Sequence, residues 1–236
     1  MPARVLFDAL KPKLLPASSA GLKISEPKGS IWKGAIDLEV SGMSFRADWD
    51  ILQSQLFKGE LAVAISVTSQ SPPGNLKTPN WIKGTIFGSI FGKFGCYNVN
   101  AMVSAELINH LANGQFSLEN KVVMNALEVN FKDNSFKTAR GKLNWPGGLI
   151  AYYDPSRGQQ QVDLPALTGE ISTEQGKLTG RLGLDDSSGI LVSAEVDGKG
   201  EAIVAIRKRM LDVLGQGWSK AVDPDDVILE IQQALF

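Results

Sequence analysis

The sequence predicts a mainly β protein: an antiparallel meander sheet folded into a sandwich or an open curved half-barrel, with a few short helices including a C-terminal one. Three observations carry this. Apolar and polar residues alternate with period two in several separate runs, which is the mark of strands with one buried face. Glycines punctuate the second half at strand-and-turn spacing, at 141, 169, 176, 180, 189, 198 and 200. Helical periodicity is confined to short segments.

Taken in order, Ile36, Leu38 and Val40 alternate with Asp37 and Glu39. Met43, Phe45, Ala47 and Trp49 point one way while Ser44, Arg46, Asp48 and Asp50 point the other. Leu61, Val63, Ile65 and Val67 repeat the pattern before a breaker cluster, Ser71-Pro72-Pro73-Gly74-Asn75. Ser104 is a candidate N-cap for a helix from about Ala105 to Asn113, with Leu107, Ile108 and Leu111 on one face and Gly114 as its stop. Leu127, Val129 and Phe131 then alternate with Glu128, Asn130 and Lys132, and Ile190, Val192, Ala194 and Val196 do the same further on. Asp197-Gly198 reads as a hairpin turn, because both residues tolerate positive φ. Ile203 to Ile206 reads as strand and Arg207 to Leu214 as helix. A C-terminal helix is expected after Asp223 as N-cap and Pro224 at the first helical position, with Val227, Ile228, Ile231 and Leu235 as its apolar stripe. The organisation is therefore a β-rich domain over 1–216, with two β lobes at about 20–103 and 115–207, and a helical extension over 217–236. A faint echo fits two lobes. Gly29-Ser30-Ile31-Trp32-Lys33-Gly34 and Gly141-Lys142-Leu143-Asn144-Trp145-Pro146-Gly147 each set a tryptophan between glycines.

Composition excludes several functions. The 236 residues are 43% hydrophobic and 21% charged, ordinary for a globular protein. A formal net charge of −1 argues against nucleic-acid binding, which needs a basic face to displace counterions. Cys96 and His110 are each the only residue of their kind, so an intramolecular disulfide, a Cys-rich zinc site and a histidine cluster are ruled out. No stretch approaches the roughly 20 apolar residues that span a bilayer, and the N-terminus lacks a signal peptide's apolar core.

The chemical motifs are weak. Ser30-Ile31-Trp32-Lys33 satisfies S-x-x-K, but that pattern activates serine only from a helix, and here the surroundings read as strand. Gly84, Gly88, Gly92 and Gly95 match neither a dinucleotide fingerprint nor a phosphate loop. Ile86, Phe87, Ile90, Phe91 and Phe94 fill the gaps between them, either as close-packed strand or as an apolar lip that contacts a partner or lipid. Asp185-Asp186 reads as a polar turn and Asp223, Asp225 and Asp226 as a helix start; neither has calcium-loop spacing. His110 falls near a helix end, and Cys96 reads as a small packed residue. No catalytic residue, metal site or cofactor is expected.

The order of several motifs resembles type II secretion system protein N, also called general secretion pathway protein N. Gly29-Ser30-Ile31-Trp32-Lys33-Gly34 is similar to the family's G-T-L/V-W-x-G element, which follows a Pro-Ala segment and a short strand. Pro2-Ala3 and Leu22-Lys23-Ile24 occupy those places. Trp49, Leu52, Leu56 and Gly59 resemble its W-x-L-x-x-x-x-L-x-x-G stretch with slightly shifted spacing. Gly141, Leu143, Trp145, Gly147 and Gly148 resemble G-x-L-x-W-x-G-G, and Leu164-Pro165-Ala166-Leu167-Thr168-Gly169 resembles L-P-x-L-x-G. The likeness runs from about Pro2 to about Arg209, and the segment from about Gly217 onward lies outside it. It implies a non-enzymatic accessory of protein secretion in Gram-negative bacteria, anchored in the inner membrane by a helix ahead of Met1. Its β domain would face the periplasm, near the inner-membrane platform and the secretin. The sheet also resembles, in pattern only, the curved sheets of lipid-handling proteins such as the AsmA-like group. The candidate partner or lipid contacts are Phe45, Trp49, Val63, Ile65, Phe87, Ile90 and Phe91. The face holding Phe45, Trp49, Val63 and Ile65 is expected to be covered by the sheet folding over onto itself.

Overall fold

A computed structural model describes residues 22–40, 42–70, 79–114, 116–154, 157–185, 189–216 and 223–234. The Ser71–Asn75 breaker cluster, the Pro2-Ala3 segment, Asp186 and the stretch 217–222 lie outside them. The chain divides into two compact units, Met1–Met102 and Val103–Phe236.

In the first unit the period-two runs become one antiparallel meander. It comprises β1 (Leu22–Ile24), β2 (Lys28–Gly29), β3 (Lys33–Val40), β4 (Met43–Ile51), β5 (Glu60–Ser69), β6 (Trp81–Ser89) and β7 (Phe94–Val103). A short helix, α1 (Gln53–Leu56), follows β4 and packs against β5. The strand order is β1-β3-β4-β5-β6-β7, with β2 also paired to β3. Successive side chains of a strand point to opposite faces, so the registers sort the residues. One face carries Lys33 opposite Asp50, Asp37 opposite Arg46, and Asp48 opposite Ser66. That face is ion-paired over β3 and β4, with Lys33–Asp50 and Arg46–Asp48 each at 3.1 Å, and buries Ala62, Thr85 and Phe87 over β5 and β6. The other face is apolar except for Ser69 opposite Phe45: Ile36, Ala47, Val67 and Ile82 form one cross-strand row, and Ile51, Val63, Ile86 and Cys96 another.

The second unit holds a second meander: β9 (Val122–Lys132), β10 (Ser135–Trp145), β13 (Leu167–Glu174), β14 (Lys177–Leu184), β15 (Ile190–Val196), β16 (Glu201–Arg207) and β17 (Val227–Ala234), in that order. A three-stranded sheet, β12-β11-β8, is formed by Gly158–Leu164, Gly148–Asp154 and Phe116–Leu118. Two helices complete the unit, α2 (Ala105–Leu111) and α3 (Lys208–Val213). Here there is a packed core of Trp145, Leu164, Leu167 and Leu191, with Leu191 fully buried. Leu118, Ile150 and Val162 reach it from the small sheet, and Met210, Val213 and Leu214 from α3 and its C-terminus. Asn109 ties α2 to β8 by donating to the Leu118 carbonyl at 2.9 Å and accepting from its N–H at 2.8 Å.

The fold class is the one expected, in its open form. Among the described residues the meander of each unit is an open strand path, and the described helices are three and short. Ser104 caps α2, its hydroxyl accepting from the Leu107 N–H at 3.3 Å. Arg207 to Leu214 contains α3, as expected. Two local readings are corrected. The hairpin between β15 and β16 places its positive φ at Gly200 rather than Gly198. The Asp197 carboxylate closes this turn by accepting from the N–H groups of Lys199 and Glu201 at 2.8 and 2.9 Å. The second correction concerns the C-terminal helix over Asp223–Leu235, which is strand β17 over its described part. Asp223 does bond the Asp225 N–H, at 2.9 Å, as a cap would. The chain then runs extended, because Val227, Ile228 and Ile231 suit a strand and the edge of β16 offers an unpaired ladder. Arg207 and Arg209 clasp the turn at Asp225, the first through its carbonyl at 2.7 Å and the second through its carboxylate at 3.1 Å.

The position of the core gives an expected outcome. Leu191→Ala should lower unfolding free energy by about 2–5 kcal/mol. Val67→Ala, on the apolar face of the first unit, should cost about 1 kcal/mol or less. Urea denaturation of each variant checks both.

Candidate functional site: an apolar sheet face

The residues singled out in the first unit fall into three groups. Phe45, Trp49, Val63 and Ile65 all lie on the apolar face, with Trp49 directly opposite Ile65 and Ile51 opposite Val63. All four are half-buried. The expectation that a second layer covers them is not met: among the described residues of this unit no second sheet packs on that face. Beside them Leu61 is 50% exposed, Ile82 46% and Ile86 49%. A buried face would show single-digit values, as Leu167 and Trp145 do in the second unit.

Phe87 forms the second group. It sits on the opposite face, 8% exposed, with its ring 5.9 Å from that of Tyr97 and Lys93 Nζ 5.1 Å above it. Its neighbours Ile90 and Phe91 form the third, 81% and 71% exposed at the tip of the β6–β7 hairpin. Sequence reasoning passed over Phe57, 94% exposed in the turn after α1. The apolar pair Leu56-Phe57, set between Gln53-Ser54-Gln55 and the turn residues Lys58-Gly59, was the available signal.

The motif glycines and tryptophans have structural explanations. Trp49 lays its six-membered ring against Gly34 and donates from Nε1 to the Ile31 carbonyl at 3.2 Å. A Cβ at Gly34 would meet the Lys28 carbonyl oxygen at 2.5 Å as well as that ring, so only glycine fits. Gly29 pairs with Gly34 in the β2–β3 ladder, and Trp32 stands 40% exposed between those strands. In the second unit, Trp145 is buried and donates to the Glu119 carbonyl at 2.7 Å. Gly147, at φ +86°, makes the turn after it, where a Cβ would strike the Leu164 carbonyl oxygen. Gly141 faces a β-bulge at Ala126–Leu127, where the register between β9 and β10 shifts. The two tryptophan motifs thus occupy different settings.

The S-x-x-K serine is a turn residue: Ser30 Oγ accepts from the Lys33 N–H at 3.1 Å, while Lys33 Nζ pairs with Asp50. His110 lies in the last turn of α2. No group of three or more His, Cys, Asp or Glu poised for a metal occurs among the described residues. The perturbed carboxylates are surface features. Glu128 is held below its ordinary range by its hydrogen bond and ion pair with Arg140, and Asp197 chiefly by the Glu201 N–H. No helix among the described residues is long and apolar enough to cross a membrane.

Taken together, fold and face define an open-sheet β protein that presents a half-exposed apolar surface backed by an ion-paired one. Residues 20–209 match the sequence profile of the family described as type II secretion system (T2SS), protein N. The chain belongs to that family, and it is a component of the type II protein secretion system. No curated protein and no solved structure matches it.

The Gly34–Trp49 contact is testable. Gly34→Ala should destabilise the protein by about 1–3 kcal/mol through overpacking. In a Trp49→Ala background, itself destabilised, the extra cost of Gly34→Ala should shrink but not vanish, because the Lys28 carbonyl still obstructs the methyl group. Thermal or urea unfolding of the single and double variants reads this directly.

Proposed function

We propose that this chain is a structural accessory of the secretion machine whose β domain stands in the periplasm and docks another secretion subunit on the apolar face of its first unit. A membrane anchor in the whole protein would hold it beside the inner-membrane platform and the secretin. The observation that carries the reading is the apolar face itself, which runs from Leu38 and Phe45 on β3 and β4 to Ile82 and Ile86 on β6. A contiguous apolar surface of this kind on a soluble domain marks an interaction site. The opposite face supports the same reading over β3 and β4, where the Lys33–Asp50 pair across strands and the Arg46–Asp48 pair within β4 suit it to water.

A second reading is a lipid-binding module with acyl chains along the same face. It is favoured by one specific observation. The registered rows of that face carry no charged side chain from β3 to β6, whereas a protein interface ordinarily has a polar rim and about one hydrogen bond per 100–200 Å².

Photo-crosslinking in living cells separates the two. A photoreactive amino acid at Ile65 or Phe45 should yield an adduct with another secretion subunit, and the same residue at Thr68 on the opposite face should yield several-fold less. Equal labelling from both faces, or none from either, contradicts a docking face. A phospholipid-sized adduct from Ile65 in place of a protein adduct moves the lipid reading ahead.

A further inference from the structure

We infer that the first unit has a second interaction surface, a membrane-touching tip built from the α1–β5 turn and the β6–β7 hairpin, which fits an anionic phospholipid bilayer. This surface lies at the end of the sheet, next to the apolar face at Leu61 and Phe94, and the inference does not rest on the docking reading above. The two loops lie side by side: the Ile90 N–H donates to the Gly59 carbonyl at 3.3 Å. A Cβ placed on Gly59 would lie 3.5 Å from Ile90 and 3.7 Å from the Phe91 ring. The backbone of the hairpin is rigidly specified, with Ser89 bonding the N–H groups of Phe91 and Gly92 at 3.1 Å through its hydroxyl and carbonyl respectively. Its Ile90 and Phe91 side chains nevertheless point into solvent, while Lys93 lies over the Phe87 ring.

Phe57, Ile90 and Phe91 are 94%, 81% and 71% exposed, the highest values among the exposed large apolar residues described. Leu56 and Phe94 flank them at 40% and 54%. Residues this exposed form a protruding tip rather than a flat patch, and such a tip is poorly shaped for the close complementary packing of a protein interface. It suits the headgroup–acyl boundary, where aromatic and aliphatic side chains enter a fluid medium that needs no matching surface. Charge points the same way. Segments 52–59 and 89–93 contain no acidic residue, and their only charges are Lys58 and Lys93. Lysines beside an apolar tip can meet lipid phosphates while the apolar groups insert.

The test is flotation of the purified chain with vesicles of phosphatidylcholine alone and of phosphatidylcholine mixed with phosphatidylglycerol. Binding to the anionic vesicles is expected. Lys58→Glu and Lys93→Glu should each weaken it about fivefold, and Phe57→Ser with Ile90→Ser and Phe91→Ser should weaken it about tenfold or more. Tyr153→Ser, which removes a comparably exposed aromatic from the second unit, should leave binding unchanged. Because a triple variant could perturb folding, a spin label at Phe57→Cys in a Cys96→Ala background gives an independent readout. The label should report a depth below the phosphates, and one at Gln53→Cys should not. Failure of the unaltered chain to bind anionic vesicles overturns the inference, as does undiminished binding by the triple variant. A self-association in light scattering that the triple variant abolishes, without vesicle binding, would assign the tip to a second copy of this chain and also overturn it.

Discussion

The pleat of the first unit constrains everything that follows from it. In an antiparallel sheet a residue's face is decided by whether its number is odd or even, and pairing carries that decision across every neighbouring strand. Asp37, Arg46, Asp48 and Asp50 fall on one face and find partners there. Ile36, Ala47, Trp49, Ile65, Val67 and Ile82 are thereby committed to the other. A one-residue slip would set charges among the apolar rows and separate Lys33 from Asp50, so the cross-strand pairs specify the register. The same commitment creates an apolar surface that this unit does not cover with a second sheet. The second unit resolves the same problem differently, by bringing a small sheet and α3 onto Trp145, Leu167 and Leu191.

These two solutions connect stability to function. Packing in the second unit gives fully buried side chains and a conventional core, where truncation is costly. In the first unit the strands are held by backbone ladders, cross-strand pairs, the Trp49–Gly34 contact and scattered buried residues such as Ala62 and Phe87 rather than by a clustered core of large side chains. Its apolar surface therefore contributes less to its own folding than it could contribute to binding. A component of a multi-protein machine has a use for such an arrangement, since an apolar face left part-exposed retains a corresponding part of its transfer free energy for association.

Much of the fold was legible in the sequence, and the parts that were not share physical causes. The alternation at 36–50, 61–67, 127–131 and 190–196 gives strands because each has one polar and one apolar set, and Ser104 was readable as a cap because its hydroxyl replaces a missing helical partner. Val227–Ala234 was misread because Asp223 and Pro224 imitate a helix start, while the deciding factor, the open edge of β16, is not local. The bulge at Ala126 left no trace, since alanine at φ +51° is unusual and its only sign is Gly141 on the partner strand. For the candidate site, alternation predicts which side chains share a face but says nothing of what lies over them. Phe45, Trp49, Val63 and Ile65 therefore share the face expected of them, while the second layer expected over them is not supplied by any sheet among the described residues of the unit. Exposure at Phe57 is likewise a property of the turn, not of the residue.

Carbene footprinting of the purified chain, read residue by residue, tests the central claim most directly. An open apolar face predicts strong labelling of Ile65, Val67, Ile82 and Ile86, with Leu164, Leu167 and Leu191 protected in the same sample. Protection of the first group to the level of the second would mean that the sheet is covered after all, and would contradict the account.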